Sequence, residues 1–384
     1  MNRVAVVNRS NFKNYGSVLQ CYALCESIRA LGWESELVWV SGNLSKNYDF
    51  RLNKIVSSLW KLMTHPSLWR STANNVSDMN ARVITEETVR RFEAFTEKHI
   101  TERLYTNRAL KRAARRDYAK VVCGSDQIWC STTLYPDPLM YLRFAPQGKR
   151  IAYAPSLGRD YIPDHNKRKM RRYISEIPSL SVRETEGQRL IRELTGREAF
   201  LACDPTFLLD KEHYKRMQIP VENADGALVC YFLDVPSEGM QKKIAAYAAE
   251  RDLPIVSLGC RLAAAEALYP RVLRPDAGPG EFLYLVEHAE QILTDSYHGM
   301  LFSITFEKKF LSVERAYAEY DQSSRQKTVL SLFGLSDLYV TDEDALLDTS
   351  IDYAVVTAKK NEFAARSLAF LRESLAAEET DEKA

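Results

Sequence analysis

The sequence predicts an α/β protein of two doubly wound domains facing across a cleft. Three observations predict it. Alternating apolar strands and amphipathic helices occur in two successive runs, and 384 residues exceed what one hydrophobic core usually supports. Polar clusters also recur just past the carboxyl ends of strands, where ligands bind in open parallel sheets.

Composition narrows the class. Lys+Arg 52 against Asp+Glu 51 leaves a net charge of +1, which is not the profile of a nucleic-acid binder. A hydrophobic content of 46% provides ample core. Seven cysteines form no Cys-x-x-Cys pair, so reduced buried thiols in a cytoplasmic protein are expected, without structural zinc or another metal. Met1-Asn2-Arg3 leads directly into an apolar strand rather than a signal peptide. No apolar run approaches the roughly 20 residues that span a bilayer.

Val4–Val7 reads as a buried strand, followed by a polar loop to Asn14-Tyr15-Gly16 and a helix, Ser17–Ala30. Ser35–Val40 returns as a strand. There is no G-x-G-x-x-G, so a dinucleotide cofactor has no support, although Asn14 and Gly16 open a helix where backbone can approach a ligand. Residues 41–83 read as an irregular insertion holding one apolar helical stripe, Ile55, Val56, Leu59, Trp60, Leu62 and Met63, with Lys54, Lys61 and Trp69-Arg70 beside it. That stripe fits either packing on its own domain or peripheral contact with an anionic membrane on its inner, cytoplasmic face. Glu86–His99 is a second amphipathic helix, and Arg108 to Lys120 is rich in solvated cations.

Ala119–Cys123 is a strand that ends in Gly124-Ser125-Asp126-Gln127-Ile128-Trp129. Arg150–Ala154 ends in Pro155-Ser156-Leu157-Gly158, and Leu180–Glu184 carries Arg183. Ala199–Cys203 completes the first domain, 1–215, with the boundary between Phe207 and Gly226. In the second domain, 216–350, strands are expected at Ala227–Leu233, Leu253–Leu258, Ala289–Leu293 and Lys309–Val313. The third ends in Thr294-Asp295-Ser296-Tyr297-His298-Gly299-Met300, where Asp295 and Ser296 can cap the next helix and His298 sits near its positive end. Residues 351–384 read as a closing helix, about Tyr353–Leu375, able to pack back on the first domain, then an acidic tail.

Together, Asn14-Tyr15-Gly16 with Leu19-Gln20, Gly124 to Trp129, Tyr153 to Gly158, Ser181 to Glu184, Cys203-Asp204-Pro205-Thr206 and Thr294 to Gly299 resemble the polysaccharide pyruvyl transferase family. The resemblance implies two Rossmann-like domains in the glycosyltransferase-B manner. It also implies transfer of a pyruvyl group from phosphoenolpyruvate, a co-substrate rather than a cofactor, onto two hydroxyls of a saccharide or lipid-linked glycan. Such a donor carries a phosphate and a carboxylate, so its site needs cations and N–H donors. Carried over residue by residue, Arg183 and His298 are the donor-binding candidates, with Arg325 beside them. His298, Asp126 and Asp295 are the catalytic candidates, the two aspartates as bases or as groups that orient His298. Asn14, Gly16, Ser125, Gln127 and Ser296 are the remaining substrate-binding positions. A nucleotide-sugar glycosyltransferase and a non-catalytic glycan-binding protein are the alternatives on the same fold.

Overall fold

The structure is a computed structural model that describes residues 2–8, 14–40, 52–64, 84–315, 323–341, 344 and 350–378. Among these, one compact unit draws on 2–64, 97–208 and 362–378, and a second on 84–96 and 209–361.

In the first unit, β1 (Arg3–Val7), β2 (Glu34–Val40), β3 (Glu102–Tyr105), β4 (Lys120–Cys123), β5 (Arg150–Ala152), β6 (Ser179–Val182) and β7 (Phe200–Leu201) form one sheet, ordered β3-β2-β1-β4-β5-β6-β7. All its pairings are parallel. The helices of this unit are α1 (Tyr15–Ala30), α2 (Leu52–Thr64), α4 (Asn107–Arg116), α5 (Asp164–Ser175) and α6 (Thr185–Thr195), while α3 (Glu86–His99) belongs up to Thr96 to the second unit. Strands β4 and β5 are buried throughout and β1 nearly so, the signature of central parallel strands covered on both faces. Strand order reverses between β1 and β4. That is a topological switch point, where the loops after the two strands diverge and leave a crevice.

The second unit repeats the plan with β8 (Leu228–Phe232), β9 (Ile255–Gly259), β10 (Val272–Leu273), β11 (Gln291–Thr294), β12 (Lys309–Val313) and β13 (Tyr339–Val340), ordered β10-β9-β8-β11-β12-β13 and again parallel. Its switch point lies between β8 and β11. The remaining helices are α7 (Lys211–Lys215), α8 (Glu238–Glu250), α9 (Ala263–Leu268), α10 (Pro279–His288), α11 (Tyr297–Thr305), α12 (Ser324–Phe333) and α13 (Tyr353–Ala376). The later part of α13 belongs to the first unit: Phe370 stacks on Phe200 at 4.9 Å, and the Cys203 N–H donates to Ser367 Oγ at 2.9 Å.

The structure adds three short edge strands, β3, β10 and β13, to those read from the sequence. Edge strands carry charge and need little apolar length, so Glu102-Arg103-Leu104-Tyr105 shows no apolar run. The last strand of the first sheet shrinks from the expected Ala199–Cys203 to Phe200–Leu201. Of the insertion, the described residues are those of α2, the predicted apolar helix; Trp69, Arg70 and the acidic tail from 379 lie outside the described residues. Among the described residues no helix is long and apolar enough to cross a membrane, and no cluster of His, Cys, Asp or Glu suits a metal ion. All seven cysteines are free thiols, six of them buried.

Trp129 anchors the core on one face of the first sheet. Its ring is fully buried, stacks on Tyr141 at 5.1 Å and donates Nε1–H to the Met140 carbonyl at 2.9 Å. Trp129→Ala should lower unfolding free energy by about 3–5 kcal/mol, the usual range for a large aromatic lost from a core. Urea denaturation followed by far-UV circular dichroism measures it; a loss below about 1 kcal/mol would show that the stack contributes little.

Candidate functional site

At the first switch point the chain ends of β1, β4, β5 and β6 bring six of the predicted residues together. Asn14 is the N-cap of α1, its Oδ1 accepting the Ser17 N–H at 3.0 Å, and Gly16 lies buried in the first turn. Gly124 has φ 128°, and a Cβ there would overlap the Tyr153 carbonyl oxygen, so only glycine lets the β4 and β5 ends approach this closely. The Gly124–Ser125 peptide is cis. Ser125 is fully buried: its N–H donates to Gln20 Oε1 at 3.1 Å, and its hydroxyl to the Ala154 carbonyl at 2.8 Å. Gln127 is half-buried and packs over Gly158.

Asp126 is the focus of this set. Held at φ 65°, it accepts from Arg183 Nη2 at 3.0 Å and from its neighbour Gln127 N–H at 2.9 Å through Oδ1, and from Ser17 Oγ at 2.9 Å through Oδ2. Its side chain keeps 21% exposure, so the carboxylate is both fixed and reachable. Arg183 has 0% of its side chain exposed and gives Nη1 to Asp204 Oδ2 at 2.8 Å. Asp204 in turn accepts from Thr206 N–H and from the Thr206 hydroxyl. The expectation that Arg183 grips a donor directly therefore gives way to a different geometry. A guanidinium with no surface in water cannot meet a ligand, and this one clamps Asp126 to the sheet.

At the second switch point Asp295, Ser296, His298 and Arg325 gather around the start of α11. Ser296 is the N-cap, with its Oγ accepting the Gly299 N–H at 3.3 Å. A Cβ on Gly299 would overlap Thr294 Oγ1, so glycine here seats α11 tightly on β11. Asp295 is 4% exposed; its carboxylate accepts the N–H groups of Leu233 at 2.7 Å and Asp234 at 3.0 Å, tying the end of β8 to that of β11. This use of both oxygens makes Asp295 a positioning residue rather than the base the sequence allows. Burial pushes its pKa up to about 6 despite Arg315, whose Nε lies 3.5 Å away, and despite the two amide donors. His298 sits in the first turn of α11 with its ring 5.2 Å from that of Tyr297, and Arg325, in the first turn of α12, lies 5.6 Å over the Tyr297 ring. Both are largely buried, His298 at 6% and Arg325 at 8%.

Sequence reasoning missed Ser17, Arg315, Asp234 and Gln326. Arg315 Nε donates to Asp234 Oδ2 at 2.6 Å, and Gln326 Nε2 donates to the Asp295 carbonyl at 3.2 Å and to Ser312 Oγ at 3.0 Å. These partners are 81, 31 and 14 residues apart in sequence, so no local motif announces them. Asp204 had a signal, since Cys203-Asp204-Pro205-Thr206 stands out as a motif, but its role as the buried counter-charge had none.

A profile of the polysaccharide pyruvyl transferase family matches residues 14–317, which include every candidate except Arg325. The chain belongs to the polysaccharide pyruvyl transferase family. It is therefore a transferase by family. A search of curated proteins finds no match. Among solved structures, similarity extends over the whole fold at low identity. A Listeria monocytogenes protein assigned as a UDP-N-acetylglucosamine 2-epimerase has a TM-score of 0.51 at 10% identity, covering 97% of this chain and 91% of that one. S. aureus MnaA in complex with UDP gives 0.50 at 10% identity, over 97% and 91%. UGT89C1 of Arabidopsis thaliana gives 0.50 at 9% identity, over 98% and 99%. These likenesses show the fold, a two-domain α/β architecture of the glycosyltransferase-B class.

Two predictions test the geometry. Arg183→Leu leaves Asp126 and Asp204 without their buried cation and should cost about 3–5 kcal/mol of stability, measured by chemical denaturation; an unchanged midpoint would contradict the clamp. For Asp295, a folded pKa above the unfolded value means that the stabilisation is full below about pH 4 and lost as pH rises through about 6. Raising pH from 5 to 7.5 should therefore cost the wild type about 1.4 kcal/mol more than it costs Asp295→Asn. Denaturation curves of both proteins at the two pH values read the difference, and parallel behaviour would refute it.

Proposed function

We propose that the protein transfers the enolpyruvyl-derived group of phosphoenolpyruvate onto two hydroxyls of a saccharide, free or lipid-linked, in a cell-surface polysaccharide precursor. The product is a pyruvate ketal, and phosphate is released. The observation that carries this reading is the α11 start: a capped helix N-terminus with His298 in its first turn and Arg325 nearby, in a chain of the pyruvyl transferase family. Helix N–H groups and fixed cations suit a small dianionic donor.

In this reading the second unit's strand ends hold the donor. His298 and Arg325 neutralise its phosphate and carboxylate, and His298 is suited to pass a proton to the departing phosphate. Asp295 keeps the α11 start in register with the end of β8. Asp126 of the first unit takes the acceptor's part. Fixed by Arg183 and Ser17 yet partly exposed, it is suited to orient a sugar hydroxyl and accept its proton. The atoms balance. C3 of the enol gains one proton, two acceptor oxygens bond to C2, the C2–O bond to phosphate breaks, and the two hydroxyl protons end on C3 and on phosphate. No cofactor or metal enters the scheme, and a phosphoenolpyruvate donor places the work in the cytoplasm.

Purified protein given phosphoenolpyruvate and a panel of galactose-, glucose- and mannose-type acceptors should release phosphate and yield a ketal product by mass. His298→Ala and Arg325→Ala should each lower kcat/KM by about 10²-fold or more, the scale of a lost transition-state contact. Absence of turnover across the panel, or near-wild-type rates in both variants, would overturn the reading. Turnover of a nucleotide sugar instead would make the protein a glycosyltransferase.

A further inference from the structure

Helix α2 presents an apolar face to solvent. Ile55, Val56, Leu59, Trp60 and Met63 are 37%, 58%, 50%, 64% and 67% exposed. With 3.6 residues per turn they fall within an arc of about 140° on one side of the helix. The helix packs through the rest of its circumference, with Lys61 opposite the arc and Leu62 at its edge. Lys61 and Leu62 are buried at 8% and 7%, and Lys61 Nζ donates to Asn166 Oδ1 in the first turn of α5. Burial first, and the charge of Lys169 second, push the Lys61 pKa down to about 8, so α5's cations lie close to α2.

The helix behind α2, on the side away from the apolar arc, carries charge of one sign. Helix α5 carries Lys167, Arg168, Lys169, Arg171 and Arg172 against the single acid Asp164, and all five cations are exposed. Asp164 answers Lys167 at 2.7 Å, while Arg172 lies 3.6 Å from Glu176 beyond the helix end. A soluble helix normally buries such an apolar stripe, and one left exposed marks a contact with a membrane or another protein. An apolar arc with an exposed Trp, backed on its polar side by exposed Lys and Arg, is the pattern of a helix lying in the headgroup region of an anionic bilayer. At 13 residues the helix is too short to span one, which leaves it lying in the interface plane.

We propose that α2 is a peripheral membrane anchor: its Ile55, Val56, Leu59, Trp60 and Met63 face enters the interface of an anionic phospholipid bilayer, and the exposed cations of α5 behind it, Arg168 and Lys169 among them, attract the chain to the anionic surface. The contact is reversible, since five side chains and a few cations fall far short of a spanning segment. It rests on α2 and α5 alone and needs neither donor nor acceptor, so its failure and a failure of the pyruvyl-transfer reading are separately visible.

The test is co-sedimentation of the full chain with vesicles of phosphatidylcholine alone or with phosphatidylglycerol added. Binding is expected to the anionic vesicles, to fall with salt, and to leave little protein on neutral ones. Trp60→Glu with Met63→Glu, both at exposed positions, should reduce the bound fraction about tenfold or more by removing apolar burial and adding charge. Arg168→Gln with Lys169→Gln should lower it several-fold and flatten the salt dependence. On anionic vesicles the emission of Trp60, taken as the difference from Trp60→Phe, should shift to the blue. Equal binding to both vesicle types, binding unchanged in the Trp60/Met63 variant, or a wild-type dimer that the same variant dissociates in light scattering would each overturn the proposal, the last by making this face a self-association surface.

Discussion

A guanidinium with none of its surface in water needs its charge answered from within, and Arg183 draws those answers from hydrogen bonds to two carboxylates brought from different strand ends, with Glu184 3.9 Å away as a third. Asp204 follows β7 and Asp126 follows β4, and Arg183 itself ends β6. Removing one partner from such a set leaves an uncompensated buried charge, which is far more costly than the net worth of the set itself. The pairing therefore specifies more than it stabilises. It fixes where three loops leave the sheet and holds the one carboxylate of the set that still reaches solvent.

The two units solve the same problem with different chemistry. Each reverses strand order once, between β1 and β4 and between β8 and β11, and each spans that gap with an aspartate. In the first unit the aspartate is gripped by side chains, Arg183 and Ser17, and remains partly exposed. In the second it is gripped by backbone N–H groups of Leu233 and Asp234 and disappears into the interior. The same residue type therefore keeps a surface in water in one unit and holds the frame in the other. At the second switch point the starts of α11 and α12 carry His298 and Arg325 beside the buried acid.

Much of this was legible in the sequence because buried parallel strands are short apolar runs, and residues just past them are those that function requires. Val4–Val7, Ala119–Cys123 and Ala289–Leu293 stand out for that reason, and so do Asp126 and His298 just past the last two. The edge strands escaped because Glu102–Tyr105 lies half in water and needs no apolar pattern. The roles of Arg183 and Asp295 escaped for a deeper reason. Whether a charged residue faces a ligand or the interior depends on partners 57 and 62 residues away in the chain, and no local spacing encodes that. The helix of Leu52–Thr64 was legible as an apolar stripe, but which side of it packs was not.

The central claim is that the α11 start holds a phosphorylated, carboxylated donor, and calorimetric titration of the full chain with phosphoenolpyruvate and, separately, with UDP tests it most directly. Phosphoenolpyruvate should bind, UDP should not, and His298→Ala and Arg325→Ala should each weaken phosphoenolpyruvate binding about tenfold or more, the scale of a lost charge-assisted contact. Binding of UDP without phosphoenolpyruvate, or phosphoenolpyruvate affinity indifferent to both substitutions, would contradict it.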